Sequence, residues 1–191
     1  MLRARHAVIL FAVAGLFIAL SSSNLHAQTS EVKQHFEKDG LAFDYGAKWE
    51  LSDQSNGDAQ QLVLTEKTLD GQIMIVALRA VLTNPKQEED AKRAVVEPGI
   101  NRLLTQYATA GIQVDRTPVR IELSGTQAEG AQLRFNVDGF PGTTDVAWAV
   151  INQRLVQLFF IRPEKTATET AVCWEAIRNS LRIAKPGNPR Q

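Results

Sequence analysis

Few side chains in this sequence are suited to acid–base, nucleophilic or metal chemistry. Its 191 residues include three histidines and one cysteine, and two of the histidines, His6 and His26, precede residue 28. The third, His35, lies among polar residues, and Cys173 is far from it along the chain. A zinc or copper site built from His and Cys side chains requires more of these ligands than this. We therefore expect no metal site, and we interpret His35 as an exposed surface residue.

The sequence also lacks the short motifs of common enzyme and nucleotide sites. It has no Gly-x-Ser-x-Gly to present a nucleophile, no Gly-x-Gly-x-x-Gly and no Gly-x4-Gly-Lys-Ser/Thr to hold phosphates. We therefore expect a non-enzymatic protein without a cofactor. Folding could still bring two carboxylates together, as in a glycosidase, so a carboxylate-dependent hydrolase remains an alternative.

Two other features resemble functional sites but have structural explanations. The acidic run Glu88–Asp90 follows Asn84-Pro85, a pair typical of a helix start, where the helix dipole favours negative charge. This position explains the carboxylates without a metal. Cys173 lies beside Trp174 on a predicted helix, and we interpret it as a buried apolar side chain, with a reactive or intermolecular thiol as the alternative.

Phe140 and Pro141 are the candidate partner-contact residues. They lie in a predicted loop, 138–142, flanked by glycines, where an exposed aromatic ring would contact a partner. The alternative, which we favour from sequence, is that Phe140 folds back onto the sheet edge. The three tryptophans fall on different predicted elements and are interpreted as core residues: Trp49, Trp148 and Trp174.

The N-terminus has the pattern of a secretory signal. A basic start is followed by an apolar run of 14 residues, Ala7–Leu20, and by a small, polar stretch that ends at Ala27. A membrane span, the alternative, needs about 20 apolar residues. We predict cleavage between Ala27 and Gln28, and therefore a periplasmic or secreted protein. No lipoprotein cysteine follows the signal, so we expect no stable membrane anchor.

The composition of the remaining chain is that of one globular domain. Removal of residues 1–27 leaves 19 basic and 21 acidic residues, a balance that gives no reason to expect nucleic acid as a partner. We divide the chain into a signal peptide (1–27), a polar lead-in (28–38), one domain (39–184) and a disordered tail (185–191). The oligomeric state is left open.

Apolar patterning predicts strands buried on both faces. Leu155–Ile161 carries apolar side chains at successive positions, as does Ile73–Leu78, so both are predicted to be central strands. Three dipeptides favour tight hairpin turns: Asp70-Gly71, Ser124-Gly125 and Asn152-Gln153. The connections are therefore those of a mainly antiparallel sheet.

Two helical regions complete the predicted architecture. Apolar periodicity indicates two helical pieces, over 86–96 and 99–109, that share one apolar face, and Pro98 is expected to end or kink the helix between them. Thr166 and Glu169 match a capping box at the start of a last helix. The predicted order is four strands, a broken helix, four strands and a helix. The expected fold class is α+β, with about seven or eight mainly antiparallel strands and helices on both faces.

Two stretches resemble PsbP-like domains. One is Asp39-Gly40-Leu41-Ala42-Phe43-Asp44-Tyr45 followed by Trp49, and the other is the closing run from Trp174 to Ile183. The resemblance covers about 36–183 and implies an α/β/α sandwich. Better-known members are accessory proteins: an extrinsic subunit of the photosynthetic oxygen-evolving complex and a Ran-GTPase release factor. No functional motif of either is present in this sequence.

The leading hypothesis from sequence is an exported accessory module. It would act through contacts with an unknown envelope protein, near Phe140. The second hypothesis is a carrier of a small ligand or lipid, which requires an apolar cavity between sheet and helix. The third is the hydrolase, which requires two carboxylates in one cleft.

Overall fold

The computed structural model describes residues 33–185. The predicted signal peptide, its cleavage site at Ala27 and Gln28, the first residues of the predicted lead-in (28–32) and the tail residues 186–191 lie outside the described part. Within it, no helix is both long and apolar enough to span a bilayer.

Ten strands and three α-helices make up the described chain. The strands are β1 (Lys33–Lys38), β2 (Leu41–Gly46), β3 (Glu50–Asp53), β4 (Ala59–Glu66), β5 (Gly71–Leu78), β6 (Val114–Leu123), β7 (Thr126–Val137), β8 (Phe140–Ile151), β9 (Arg154–Pro163) and β10 (Arg182–Ile183). The helices are α1 (Pro85–Ala91), α2 (Glu97–Thr109) and α3 (Ala167–Ser180), with a π-helical turn at Lys92–Val96 and a 3-10 turn at Glu164–Thr166.

The strands form two antiparallel sheets. The larger has seven strands in the order β3-β4-β5-β9-β8-β7-β6, and the smaller has three in the order β1-β2-β10. The predicted α+β class, the antiparallel order and the central positions of β5 and β9 are confirmed. The second, three-stranded sheet was not predicted: in it, β1 and β10 pair with β2.

Strand β9 divides the core into two layers. Val156, Leu158 and Phe160 pack into a cluster with α3 and the small sheet. Leu155 and Phe159, on the opposite face, pack into a second cluster with α2 and the π-helical turn. Side chains alternate between the two faces of a strand, so β9 has to be covered on both sides. The predicted helices on both faces are confirmed.

The N-terminal lead-in was predicted wrongly. Residues 33–38 form strand β1, paired along its whole length with β2. Its side chains are mostly exposed, so its sequence has no apolar alternation to indicate a strand. The contact that holds β1 against the core is a stack of the Phe36 ring on the buried Phe43 ring, with centroids 5.2 Å apart. The folded domain therefore begins at least as early as residue 33.

The first helical region is continuous through Pro98-Gly99, so of the two effects predicted for Pro98, an end or a kink, the end is wrong. Asn84 caps it as predicted, since its Oδ1 accepts the Gln87 N–H at 3.0 Å. The Glu97 N–H then donates to the Lys92 carbonyl, five residues earlier, which makes a wide π-helical turn. Pro98 has no N–H, and its ring would clash with the preceding turn of a regular helix. The wide turn accommodates it, and α2 continues from Glu97.

The capping box predicted at α3 is also wrong. The Thr166 side chain makes no capping hydrogen bond within the helix. Its hydroxyl donates instead to the Leu69 carbonyl at 2.8 Å. A 3-10 turn precedes α3, so Thr166 ties the helix start to the β4–β5 turn. Local spacing could not reveal this bond, because its acceptor is 97 residues away.

The tryptophans are mostly core residues. Trp49 and Trp174 are buried in the cluster beneath α3. Trp148 is half-buried against the α2 cluster, and its Nε1–H donates to a Glu129 carboxylate oxygen at 3.1 Å. Trp174 stacks on Phe160, with ring centroids 5.1 Å apart. This aromatic pair joins the last helix to the central strand.

We expect Phe160→Ala to lower the free energy of unfolding by about 3–5 kcal/mol, because it empties a fully buried site against Trp174. Urea unfolding followed by tryptophan fluorescence and circular dichroism would measure the loss. Phe140→Ala is the matched control: Phe140 is 52% exposed, and we expect a loss of about 0.5 kcal/mol or less. Equal losses from the two variants would contradict the placement of Phe160 in the core.

Candidate functional site

The hairpin between β7 and β8 extends beyond the strands beside it. Toward the turn, the last residue of β7 that pairs with β6 is Phe135, and the last residue of β8 that pairs with β9 is Gly142. Between these points β7 and β8 pair only with each other, through Asn136↔Pro141 and Val137↔Phe140. We call residues 136–141 the hairpin tip. It is a two-stranded projection from a seven-stranded sheet.

A two-residue turn closes the hairpin tip. Asp138 and Gly139 have φ values of 51° and 89°, as a type I′ turn requires. The Asn136 side chain accepts the Gly139 N–H at 2.7 Å, which supports the turn. The predicted loop over 138–142 was too long, since 140–142 belong to β8. An Asp-Gly turn of this type matches the twist of the paired strands, so pairing continues up to it.

The hairpin tip presents apolar side chains to solvent. Phe140 is 52% exposed and Val137, directly opposite on β7, is 38% exposed. Phe140 is therefore an exposed residue of β8, and the expectation that its ring folds back onto the sheet edge stays a prediction. Pro141 is also exposed and has no N–H to offer a further strand. Contact with another molecule at this site would use side chains more than strand pairing.

The base of the hairpin tip is packed tightly. A Cβ added at Gly142 would lie 2.5 and 2.6 Å from two ring atoms of Phe135, so that ring covers the glycine. Phe135 in turn packs against Tyr107 of α2, with centroids 4.8 Å apart. The Tyr107 hydroxyl is 2.9 Å from that of buried Thr144, and burial raises the pKa of Tyr107. These contacts fix the direction in which the tip projects.

The residues considered for chemistry do not converge. His35 is exposed on β1, and its Nδ1 is 2.7 Å from an Asp44 carboxylate oxygen. The hydrogen bond that the Asp44 carboxylate accepts from the imidazole is the main reason why the pKa of His35 is raised above 6.5. Cys173 lies on the buried face of α3. In residues 33–185, no group of three or more His, Cys, Asp or Glu side chains could hold a metal ion.

A buried arginine that no sequence pattern indicated lies at the other end of β9, away from the hairpin tip. Arg154 is 7% exposed, although a surface position would be usual for arginine next to a turn. Its Nε donates to the Leu78 carbonyl and one terminal nitrogen donates to the Gln60 Oε1, both at 2.6 Å. The other donates to the Asp39 carbonyl at 3.3 Å. No local signal indicated this network, because its partners lie 76 to 115 residues away in sequence.

A pocket of about 320 Å³ adjoins Arg154. Four of its seven lining residues are charged, and one of these, Asp39, is a carboxylate. This lining differs from the apolar cavity that a carrier would need, and it does not pair two carboxylates as a glycosidase-like hydrolase would. The pocket therefore supports neither alternative hypothesis.

Comparison with known proteins defines the class of fold. No protein-family model matches the chain, and no curated protein matches it. A solved structure from Bacteroides thetaiotaomicron VPI-5482 is similar over 81% of this chain and 49% of its own, with 14% identity and a TM-score of 0.53. Cyanobacterial PsbP (CyanoP) from Synechocystis sp. PCC 6803 is similar over 85% of this chain and 98% of its own, with 11% identity and a TM-score of 0.50.

The chain therefore has a PsbP-like fold, as its motifs predicted. It spans about half the length of the Bacteroides structure and nearly all of the cyanobacterial domain. At identities of 14% and 11%, these similarities establish the fold and not an activity.

We expect Gly142→Ala to destabilise the base of the hairpin tip. The added methyl group would overlap the Phe135 ring and push it from Tyr107, with a loss of about 1–3 kcal/mol in the free energy of unfolding. Urea unfolding would measure this loss. Gly57→Ala is the control, because a Cβ there meets no atom within 4 Å. Unchanged stability in Gly142→Ala would show that the ring is not held against the glycine.

Proposed function

We propose that this protein is an exported, non-enzymatic accessory module that binds an envelope protein through its hairpin tip. The observation that carries the proposal is the projection of residues 136–141 beyond both neighbouring strands, with Phe140 52% exposed at its end. A partner with an apolar cleft would bury Phe140 and the paired Val137.

The geometry of the hairpin tip suits a contact site for two reasons. Aromatic side chains are frequent among the residues that contribute most to protein–protein binding. The base is fixed by Phe135 and Tyr107, so little conformational freedom would be lost when a partner binds. An exposed aromatic ring on a rigid projection is a favourable anchor.

Location and mechanism are linked in this proposal. The apolar run Ala7–Leu20 followed by small residues up to Ala27 is the basis for export. An exported protein of this kind would meet its partner in the periplasm or outside the cell. Contact through side chains requires no cofactor and no catalytic residue.

We expect the protein purified from its native host to begin at Gln28. Intact-mass measurement and N-terminal sequencing of the periplasmic and culture-medium fractions would test this. Ala27→Leu should block processing, because signal peptidase requires a small residue before the cut. A chain that begins at Met1 and stays in the membrane fraction would support an uncleaved anchor and contradict the proposal.

We expect an envelope protein to be captured by the exported chain and lost on Phe140→Ala. The full chain, tagged after Gln191, would be expressed in its host, cross-linked, purified and analysed by quantitative mass spectrometry. Loss of a central aromatic anchor typically costs about 2 kcal/mol or more, so recovery should fall at least about tenfold.

Val172→Ala is the matched control for this experiment. Val172 is 54% exposed but lies on α3, away from the hairpin tip. Both variants remove exposed apolar surface, and only the one at the tip should reduce capture. A partner retained equally by both variants would contradict binding through Phe140.

A further inference from the structure

The pocket beside Arg154 lies where the two sheets meet. The turn between β1 and β2 supplies Asp39 and Gly40, and the chain after β5 and after β10 supplies most of the rest. The seven lining residues are Asp39, Gly40, Arg79, Val81, Arg154, Ala184 and Lys185. At about 320 Å³ it lies at the lower end of the size range of small-molecule sites.

Positive charge predominates in this pocket. Three of its lining side chains are cationic, Arg79, Arg154 and Lys185, against the single carboxylate of Asp39. That carboxylate pairs with Arg79, at 3.0 Å. At neutral pH the lining side chains therefore carry a net charge of about +2.

Arg154 contributes a charge that its own hydrogen bonds do not neutralise. Within the described part of the chain its three hydrogen bonds go to two backbone carbonyls and to the amide oxygen of Gln60, all uncharged. Burial, and then repulsion by Arg79, lower the pKa of Arg154. The Asp39 carboxylate opposes these two effects without cancelling them, and an anion beside the guanidinium would oppose them further.

Gly40 lies against the chain after β10 at the wall of the pocket, and the Ala184 N–H donates to its carbonyl at 2.7 Å. A Cβ at this position would lie 3.1 Å from the Ala184 Cβ and 3.9 Å from a terminal nitrogen of Arg154. Gly40 also has φ of 75°, a conformation that favours glycine. Any larger residue would narrow the space between Arg154 and the chain after β10.

We propose that this pocket binds a small dianionic oxyanion, of the phosphate or dicarboxylate class, between Arg79, Arg154 and Lys185. Arg79 already bonds the Asn56 carbonyl and the Asp39 carboxylate, and Arg154 makes three bonds to the protein. A guanidinium has five N–H groups, so each arginine keeps donors that an oxyanion could accept from. A doubly charged ligand would balance the net charge of the lining. The site is at the opposite end of β8 and β9 from the hairpin tip, so the two proposals can be tested separately.

The test is an NMR titration of the full mature chain with inorganic phosphate at constant ionic strength. We expect saturable shifts confined to the pocket, at Gly40, Ala184 and the Arg154 Nε–H. Succinate, run in parallel, distinguishes the two ligand classes: a response to phosphate alone assigns a phosphate group, and equal responses assign a general oxyanion site. Linear shifts with both ligands, spread over the surface, would overturn the proposal.

Variants distinguish binding from the structural role of Arg154. The double variant Arg79→Gln/Lys185→Gln removes two cations and leaves Arg154 with its three bonds, and should weaken binding at least about tenfold. Arg116→Gln/Arg120→Gln is the control, since it makes the same charge change at exposed positions on β6. Equal weakening by both pairs, or none by the first, would show that Arg79 and Lys185 do not hold the anion and would overturn the proposed site.

Discussion

The structure depends on the burial of strand β9 from both sides. Its first seven residues, Arg154 to Phe160, are all buried, and their apolar side chains point alternately to the two faces of the sheet. A strand of this kind is stable only if each face is covered by another layer. On one side α2 and the π-helical turn provide the cover, and on the other α3 and the small sheet do. The three-layer architecture follows from this requirement.

The same constraint explains why α2 lies so close to the sheet. A Cβ at Gly99 would be 3.3 Å from both Gln157 and Phe159, so the helix approaches β9 where it has no side chain. Pro98 precedes this glycine, and the π-helical turn before it lets the helix continue across the sheet. Pro98-Gly99 thus marks a close approach of helix and sheet, and not the end of a helix.

Sequence patterns predicted the strands and turns that depend on local periodicity. They did not predict features that depend on partners distant in the sequence. Two-sided apolar strands identified β5 and β9, and Asn152 and Gln153 form the predicted turn with positive φ values. Strand β1 has no such pattern, since pairing with β2 and the Phe36–Phe43 contact make it a strand.

The burial of Arg154 could not be predicted for a similar reason: its hydrogen-bond acceptors come from three separate segments of the chain. Phe140 was recognised as a candidate contact, but its exposure depends on where β6 and β9 stop pairing.

Strand β8 separates the hairpin tip from the charged pocket. The N-terminal end of β8 belongs to the hairpin tip. At the C-terminal end of β8, Ile151 pairs with Arg154 of β9. The two are roughly 35 Å apart, given the rise per residue of a strand. Antiparallel partners hold β8 along most of this length, which leaves no evident hinge. Energetic effects at well-separated sites usually add, so occupancy of the pocket should not alter contact at the tip. A protein with two independent sites could hold an anionic group at one end and a protein at the other.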